Sequence, residues 1–78
     1  MNYVYILQCS DGESYTGCTN DLNQRVQRHI NGHVLATRIR LPVELLFYCA
    51  FKNKYKAFEF EKYLKSGSGR AFRNKHLV

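Results

Sequence analysis

Residues Tyr3 to Gly17 read YVYILQCSDGESYTG, two strand-like runs around an Asp-Gly turn, and the parity of that turn constrains the fold more than any other feature. Opposed residues of antiparallel strands project to the same face, so a one-residue slip sends one strand's side chains to the other side. A loop of two or four residues would point Tyr5 and Tyr15 in opposite directions. A three-residue loop, Ser10 to Gly12 with Gly12 at positive φ, pairs Cys9 with Glu13, Leu7 with Tyr15 and Tyr5 with Gly17. Tyr5 and Tyr15 then share a face as diagonal neighbours about 7 Å apart. Gly17, having no side chain, is expected to leave open room beside Tyr5. Two tyrosines on one face of a hairpin also suit an ordinary core.

The first strand, Tyr3 to Cys9, is apolar on both faces and is expected at the centre of the sheet. Thr19, Asn20 and Asp21 offer caps for a helix to about Asn31, with Leu22, Val26 and Ile30 as its buried stripe. His33 to Leu41 has no period and reads as a surface loop leading through Pro42 to a third strand, Val43 to Phe51. The continuous apolar run LLFYCAF predicts that this strand lies inside the sheet or under a helix. Asn53 caps a second helix, Lys54 to Lys65, with Ala57, Phe60 and Leu64 inward. Ser66-Gly67-Ser68-Gly69 is expected to stop that helix and lead to a short basic, helical tail, Arg70 to Val78. The class is α+β: a small three-stranded antiparallel sheet flanked by helices, in the order β-β-α-β-α-α. With 78 residues, residues 1 to 78 form one domain.

Twelve Lys and Arg against six acids leave a formal charge of +6, the balance of a polyanion-binding domain. Nucleic acid is the expected partner. A membrane surface would want the cations on one amphipathic helix, whereas these run from Arg25 to Lys75. Three cysteines without a CxxC pair, and no N-terminal apolar run of signal-peptide length, predict a reduced, cytoplasmic protein.

Arg25 and His29 are four apart, on one face of the first helix beside the apolar stripe. That pairing suits a phosphodiester, because a guanidinium grips two phosphate oxygens and a neutral imidazole takes a proton from water. A solvated helix face, with Asp21 pairing Arg25, explains the same spacing. Glu61 falls on the inward edge of a lysine-rich helix, where a carboxylate needs a cation or a metal. One carboxylate can hold a Mg²⁺ that keeps most of its waters. Zinc is disfavoured, since Cys9 and Cys18 fall on opposite faces of the hairpin.

Together these residues resemble the GIY-YIG nucleases, in particular small single-domain members similar to the N-terminal domain of an excinuclease. The motif positions are Tyr3-Val4-Tyr5 and Tyr15-Thr16-Gly17 around the Asp11-Gly12 turn. Asp21-Leu22 with Arg25 and His29 looks like the first-helix signature. Pro42-Val43-Glu44-Leu45, then Ala57 through Glu61-Lys62 to Lys65, looks like the third strand and the glutamate helix. Tyr3 stands where the motif has Gly, Thr16 where it has Ile, and Cys18 where excinuclease-like members carry a lysine.

The resemblance implies a divalent-metal-dependent endonuclease that hydrolyses DNA, acting on structured or damaged DNA in repair or recombination, with its site on one face of the sheet. Glu61 would hold a single Mg²⁺ or Mn²⁺, and Arg25 would stabilise charge on the pentacovalent phosphate. Tyr5, Tyr15 and His29 would share water activation and phosphate positioning, and which one takes the proton stays open. Gly17, Arg38, Arg40, Lys62, Lys65 and Arg70 are the expected substrate contacts. Other readings are a nucleic-acid-binding module with weak or no turnover, and a small structural partner that docks through Tyr55 and Phe58. RNA is the alternative substrate. The expected state is a monomer or weak homodimer, with room for a protein partner that supplies specificity.

Overall fold

The computed structural model describes all of residues 1–78. Strand β1 (Asn2–Gln8) lies between β2 (Ser14–Thr19) and β3 (Glu44–Phe51) in an antiparallel sheet of order β2-β1-β3. Three helices complete the chain: α1 (Leu22–Ile30), α2 (Lys54–Leu64) and α3 (Gly67–His76).

The hairpin takes the three-residue turn. Gly12 adopts φ +85°, the amide of Glu13 donates to Asp11 Oδ1, and Cys9 N–H donates to the Glu13 carbonyl. The resulting register sets Tyr5 opposite Gly17 and Leu7 opposite Tyr15, so both tyrosines share a face. Side-chain alternation then divides the molecule. Val4 and Ile6 point to one face and join Ala57 and Leu64 of α2 in a fully buried cluster, edged by Cys18, Phe47, Cys49, Phe51, Phe60 and Leu77. Tyr5 and Leu7 point to the other face, where α1 and the segment after it lie.

Asp21 caps α1 by accepting from Gln24 N–H, and Asn53 caps α2 by accepting from the amides of Tyr55 and Lys56. In α1 the buried position is His29, with no exposed surface, while Ile30 is left 47% exposed. The expected stripe of Leu22, Val26 and Ile30 is therefore rotated by one residue. Imidazole is polar, and it can lie on the buried face only because both ring nitrogens find partners there.

Strand β3 is an edge strand that lies under α2, the second of its two expected settings, with Phe47, Cys49 and Phe51 packed against the buried cluster. Its residues alternate between half-buried and exposed, leaving Leu46 and Tyr48 on the open face. A register shift between Ile6 and Leu7 makes Leu46 the extra residue of a bulge. Bulges are one way an exposed edge avoids pairing with another chain.

The Ser-Gly run does not merely link two helices; it is the first turn of α3. Ser66 caps the helix by accepting from Gly69 N–H, and Gly69 packs against the backbone of α2 at Tyr63 and Leu64 with no room for a side chain. Close helix contact outweighs the poor helix propensity of glycine.

Gly12 is exposed with nothing near its missing side chain, so its requirement is purely conformational. Gly12→Ala should lower unfolding stability by about 1–2 kcal/mol, measured by urea denaturation.

Candidate active site

The shared face of the hairpin carries the buried side-chain hydrogen bonds of the molecule. Tyr5 Oη and His29 Nε2 are 2.9 Å apart, and His29 Nδ1 is 2.7 Å from Thr37 Oγ1. Tyr5, His29 and Thr37 have no exposed surface. The Arg25 charge, carried on the same helix as His29, is felt at the Tyr5 hydroxyl. A positive charge beside the Tyr5 oxygen favours the orientation in which the hydroxyl proton points away from it, to His29 Nε2. We therefore assign the proton of the neutral ring to Nδ1, from which it is donated to Thr37.

Charge strengthens that assignment. Burial, aided by Arg25 and Arg28, holds His29 below its ordinary imidazole value, so it is neutral at pH 7. Burial likewise raises the Tyr5 phenol well above its ordinary value, with the neighbouring Tyr15 and Glu61 adding to the rise and Arg25 opposing it. Tyr5 is thus a protonated donor, not a phenolate.

Tyr15 covers the pair. Its ring centroid lies 5.1 Å from that of His29 and 6.4 Å from that of Tyr5, and it is half-exposed. The room expected beside Gly17 is filled by the Tyr5 ring itself, and a Cβ on Gly17 would collide with the Tyr5 hydroxyl and ring. Gly17 is buried beneath that ring, so its contribution is to let the ring lie flat.

Glu61 reaches this site from the other side of the sheet. Helix α2 packs on the Val4 and Ile6 face, yet the Glu61 charge is felt by Tyr5 and Cys18, and Lys65 Nζ stands 6.0 Å from the Tyr15 ring centroid. The site expected on one face therefore straddles the β2 edge. Alternation forces this, because Tyr5 and the residues that hold α2 lie on opposite faces of one strand. Glu61 is 23% exposed and accepts from Lys65 Nζ at 3.1 Å.

No cluster of three or more His, Cys, Asp or Glu side chains is present. Glu61 is a lone carboxylate, a donor set that fits a hard cation retaining its waters and does not fit a protein cage. The three cysteines are free, and burial raises each thiol, so none is poised as a soft metal ligand.

The remaining sequence candidates separate into two groups. Lys65 and Arg70 line a cavity of about 500 Å³ beside Tyr15, whereas Arg38, Arg40 and Lys62 do not. Arg40 is committed elsewhere, with Nε donating to Asp11 Oδ2 at 2.8 Å and its carbonyl accepting from Ser10 N–H. Arg38 and Lys62 are solvent-exposed. Thr37 was not visible as a site residue, because its segment has no period and nothing marks one hydroxyl in it as the partner of a distant imidazole.

Two outcomes follow. Because the folded pKa of His29 is depressed, its contribution to stability is complete above the unfolded value near 6.5 and is lost as pH falls below it. Stability of the wild type should decline between pH 6.5 and 5 by up to about 1.4 kcal/mol per pH unit, and His29→Gln should flatten that slope in chemical denaturation. Gly17→Ala should cost about 1–3 kcal/mol and displace Tyr5, seen as a changed His29 ring signal by NMR.

Comparison with known proteins places the fold in a family. The chain is 48% identical over 66 residues to a UPF0213 protein of Clostridium perfringens, covering 83% of this chain and 71% of that one. It is 43% identical over 70 residues to a UPF0213 protein of Streptococcus agalactiae, covering 88% and 80%. The solution structure of a UPF0213 protein from Bacillus halodurans, 41% identical, superposes with a TM-score of 0.60 over 95% of this chain and 81% of that one. The family model of the GIY-YIG catalytic domain matches residues 1–75, and the chain belongs to the GIY-YIG family.

Proposed function

We propose that the protein is an endonuclease that hydrolyses DNA phosphodiester bonds with the help of a single Mg²⁺ or Mn²⁺, acting on structured or damaged DNA. The observation that carries this reading is the buried chain Tyr5–His29–Thr37 beside Arg25, in which a protonated phenol meets a neutral imidazole.

Such a chain moves a proton without ever forming a free phenolate. As the attacking water gives a proton to the Tyr5 oxygen, Tyr5 passes its own to His29 Nε2, and hydroxide bonds to phosphorus. The ring becomes an imidazolium whose Nδ1–H stays on Thr37. The phosphorus–oxygen bond opposite then breaks, and the leaving oxygen takes a proton from solvent. Tyr5 and His29 carry no exposed surface, so water reaches them once the half-exposed Tyr15 ring turns aside. Arg25, half-buried at the same spot, is placed to stabilise the charge that builds on the phosphate oxygens. A divalent ion, held by Glu61 and the substrate phosphate, would neutralise part of that charge. Lys65 occupies only Oε2 of Glu61, which leaves Oε1 for the ion.

A second reading has its own support. The buried Tyr5–His29 pair and the Glu61–Lys65 ion pair also describe a nucleic-acid-binding module with the fold of a nuclease and no turnover. Excinuclease-like repair and the protein's oligomeric state rest on the family resemblance. No helix is long and apolar enough to cross a membrane.

Metal separates the two readings. Purified protein incubated with branched, nicked and single-stranded DNA should cut in Mg²⁺ or Mn²⁺ and not in EDTA. Glu61→Ala and Arg25→Ala should each lower the rate by about 10²–10³. Cleavage that survives both substitutions would sink the nuclease reading, and metal-independent binding without cleavage by the wild type would establish the module.

A further inference from the structure

The cavity beside Tyr15 lies outside the Tyr5–His29–Thr37 chain. Its lining is Glu13, Ser14, Tyr15 and Thr16 from the hairpin, Lys65 after α2, and Arg70, Arg73 and Asn74 from α3. Three cations face one acid, and Tyr15 is the lone apolar contributor. Nothing in folding calls for this. Lys65 is paired with Glu61, but Arg70 and Arg73 have no carboxylate partner, and Arg73 Nε donates only to the neutral Asn74 Oδ1.

One wall carries a further oddity. Thr16 is 4% exposed, and its hydroxyl is the only buried side-chain polar atom in the molecule without a hydrogen-bond partner. A buried hydroxyl left unpaired is destabilising, and valine of nearly the same shape would remove the penalty. That hydroxyl belongs to a residue of the cavity lining.

We propose that this cavity is a second phosphate subsite, which takes a backbone phosphate of the nucleic-acid strand whose neighbouring phosphate meets Tyr15 and Arg25; it rests on the proposed nuclease reading for that strand. Arg70 and Arg73 donate to the phosphate oxygens, which suit a guanidinium fork. The Thr16 hydroxyl supplies a neutral donor. Lys65 links the two sites, since it lines the cavity and pairs with Glu61. Tyr15 forms the boundary, lying over His29 on one side and lining the cavity on the other. A strand crossing the β2 edge would thus be held on both sides of Tyr15.

The test uses a fluorescein-labelled twelve-nucleotide oligo-dT in EDTA, where no metal-dependent cut can occur, with anisotropy read over a range of salt. Arg73→Ala should weaken binding about three- to ten-fold and lower the log–log salt slope by about 0.7, the value of one phosphate contact on a single strand. Glu13→Gln should tighten binding. Thr16→Val should weaken it while the melting temperature holds or rises, which a merely structural threonine would not do. Lys56→Ala, an exposed cation of α2 away from the cavity, is the control for general charge. Equal losses from Arg73→Ala and Lys56→Ala, or a Thr16→Val protein that binds like the wild type, overturn the subsite. The two proposals fail separately. Cleavage in Mg²⁺ with an unaffected Arg73→Ala protein removes the subsite alone, and a responsive subsite in a protein that never cuts removes the nuclease alone.

Discussion

The hydrogen-bonded chain from Tyr5 through His29 to Thr37 ties together three parts of the sequence that have little else to hold them. Strand β1 supplies the phenol, α1 the imidazole, and the segment leading to β3 the hydroxyl. Helices α2 and α3 are secured by an apolar cluster on the opposite face, with Val4, Ile6, Ala57 and Leu64 fully buried. The α1 side has no comparable cluster. A buried imidazole is costly unless both nitrogens are satisfied, and here each has one partner, so a polar contact does the work that leucines do elsewhere. In the proposed nuclease the same three groups would move a proton, so that stability and chemistry would draw on a single contact.

The division of the sheet into two faces explains how a chain this small keeps a site apart from its core. Strand alternation sends Val4 and Ile6 one way and Tyr5 and Leu7 the other, so one strand builds the hydrophobic cluster and the polar chain at once. Glu61 belongs to the helix on the apolar face and comes to the tyrosines around the β2 edge, where Lys65 neutralises it. An edge strand makes that approach possible, since a further strand beyond β2 would have separated the two. The bulge at Leu46 and the half-exposed alternation of β3 blunt the opposite edge.

Much of this was legible in the residues because local rules and tertiary packing agreed. Asp11-Gly12 admits a three-residue turn, and that turn alone sets the register that puts Tyr5 and Tyr15 together. Asn53 and Asp21 cap the helices they precede, and Ala57 and Leu64 lie inward as their spacing requires. Errors came where two neighbours rather than one element decided. Ile30 is the more apolar side chain, yet His29 takes the buried place because Tyr5 and Thr37 meet its nitrogens. LLFYCAF reads as a strand inside the sheet or under a helix, and it lies under α2 on one face only, with Leu46 and Tyr48 exposed on the other. Ser66 to Gly69 has the composition of a connector, yet Gly69 is needed where α3 touches α2.

The sequence by itself determined the hairpin register, the order of strands and helices and the basic charge, because turn parity, capping and periodicity act over a few residues, whereas Tyr5, Tyr15, Arg25, His29 and Glu61 came together as one set through the family resemblance. Only the tertiary structure decided which face of α1 is buried, that Thr37 completes the imidazole's partners, that Glu61 arrives around an edge in an ion pair with Lys65, and that Arg70 and Arg73 gather beside an unpartnered Thr16 hydroxyl. Those outcomes depend on distances between segments remote in the chain, and such distances are set by the packing of the whole, which no local pattern encodes.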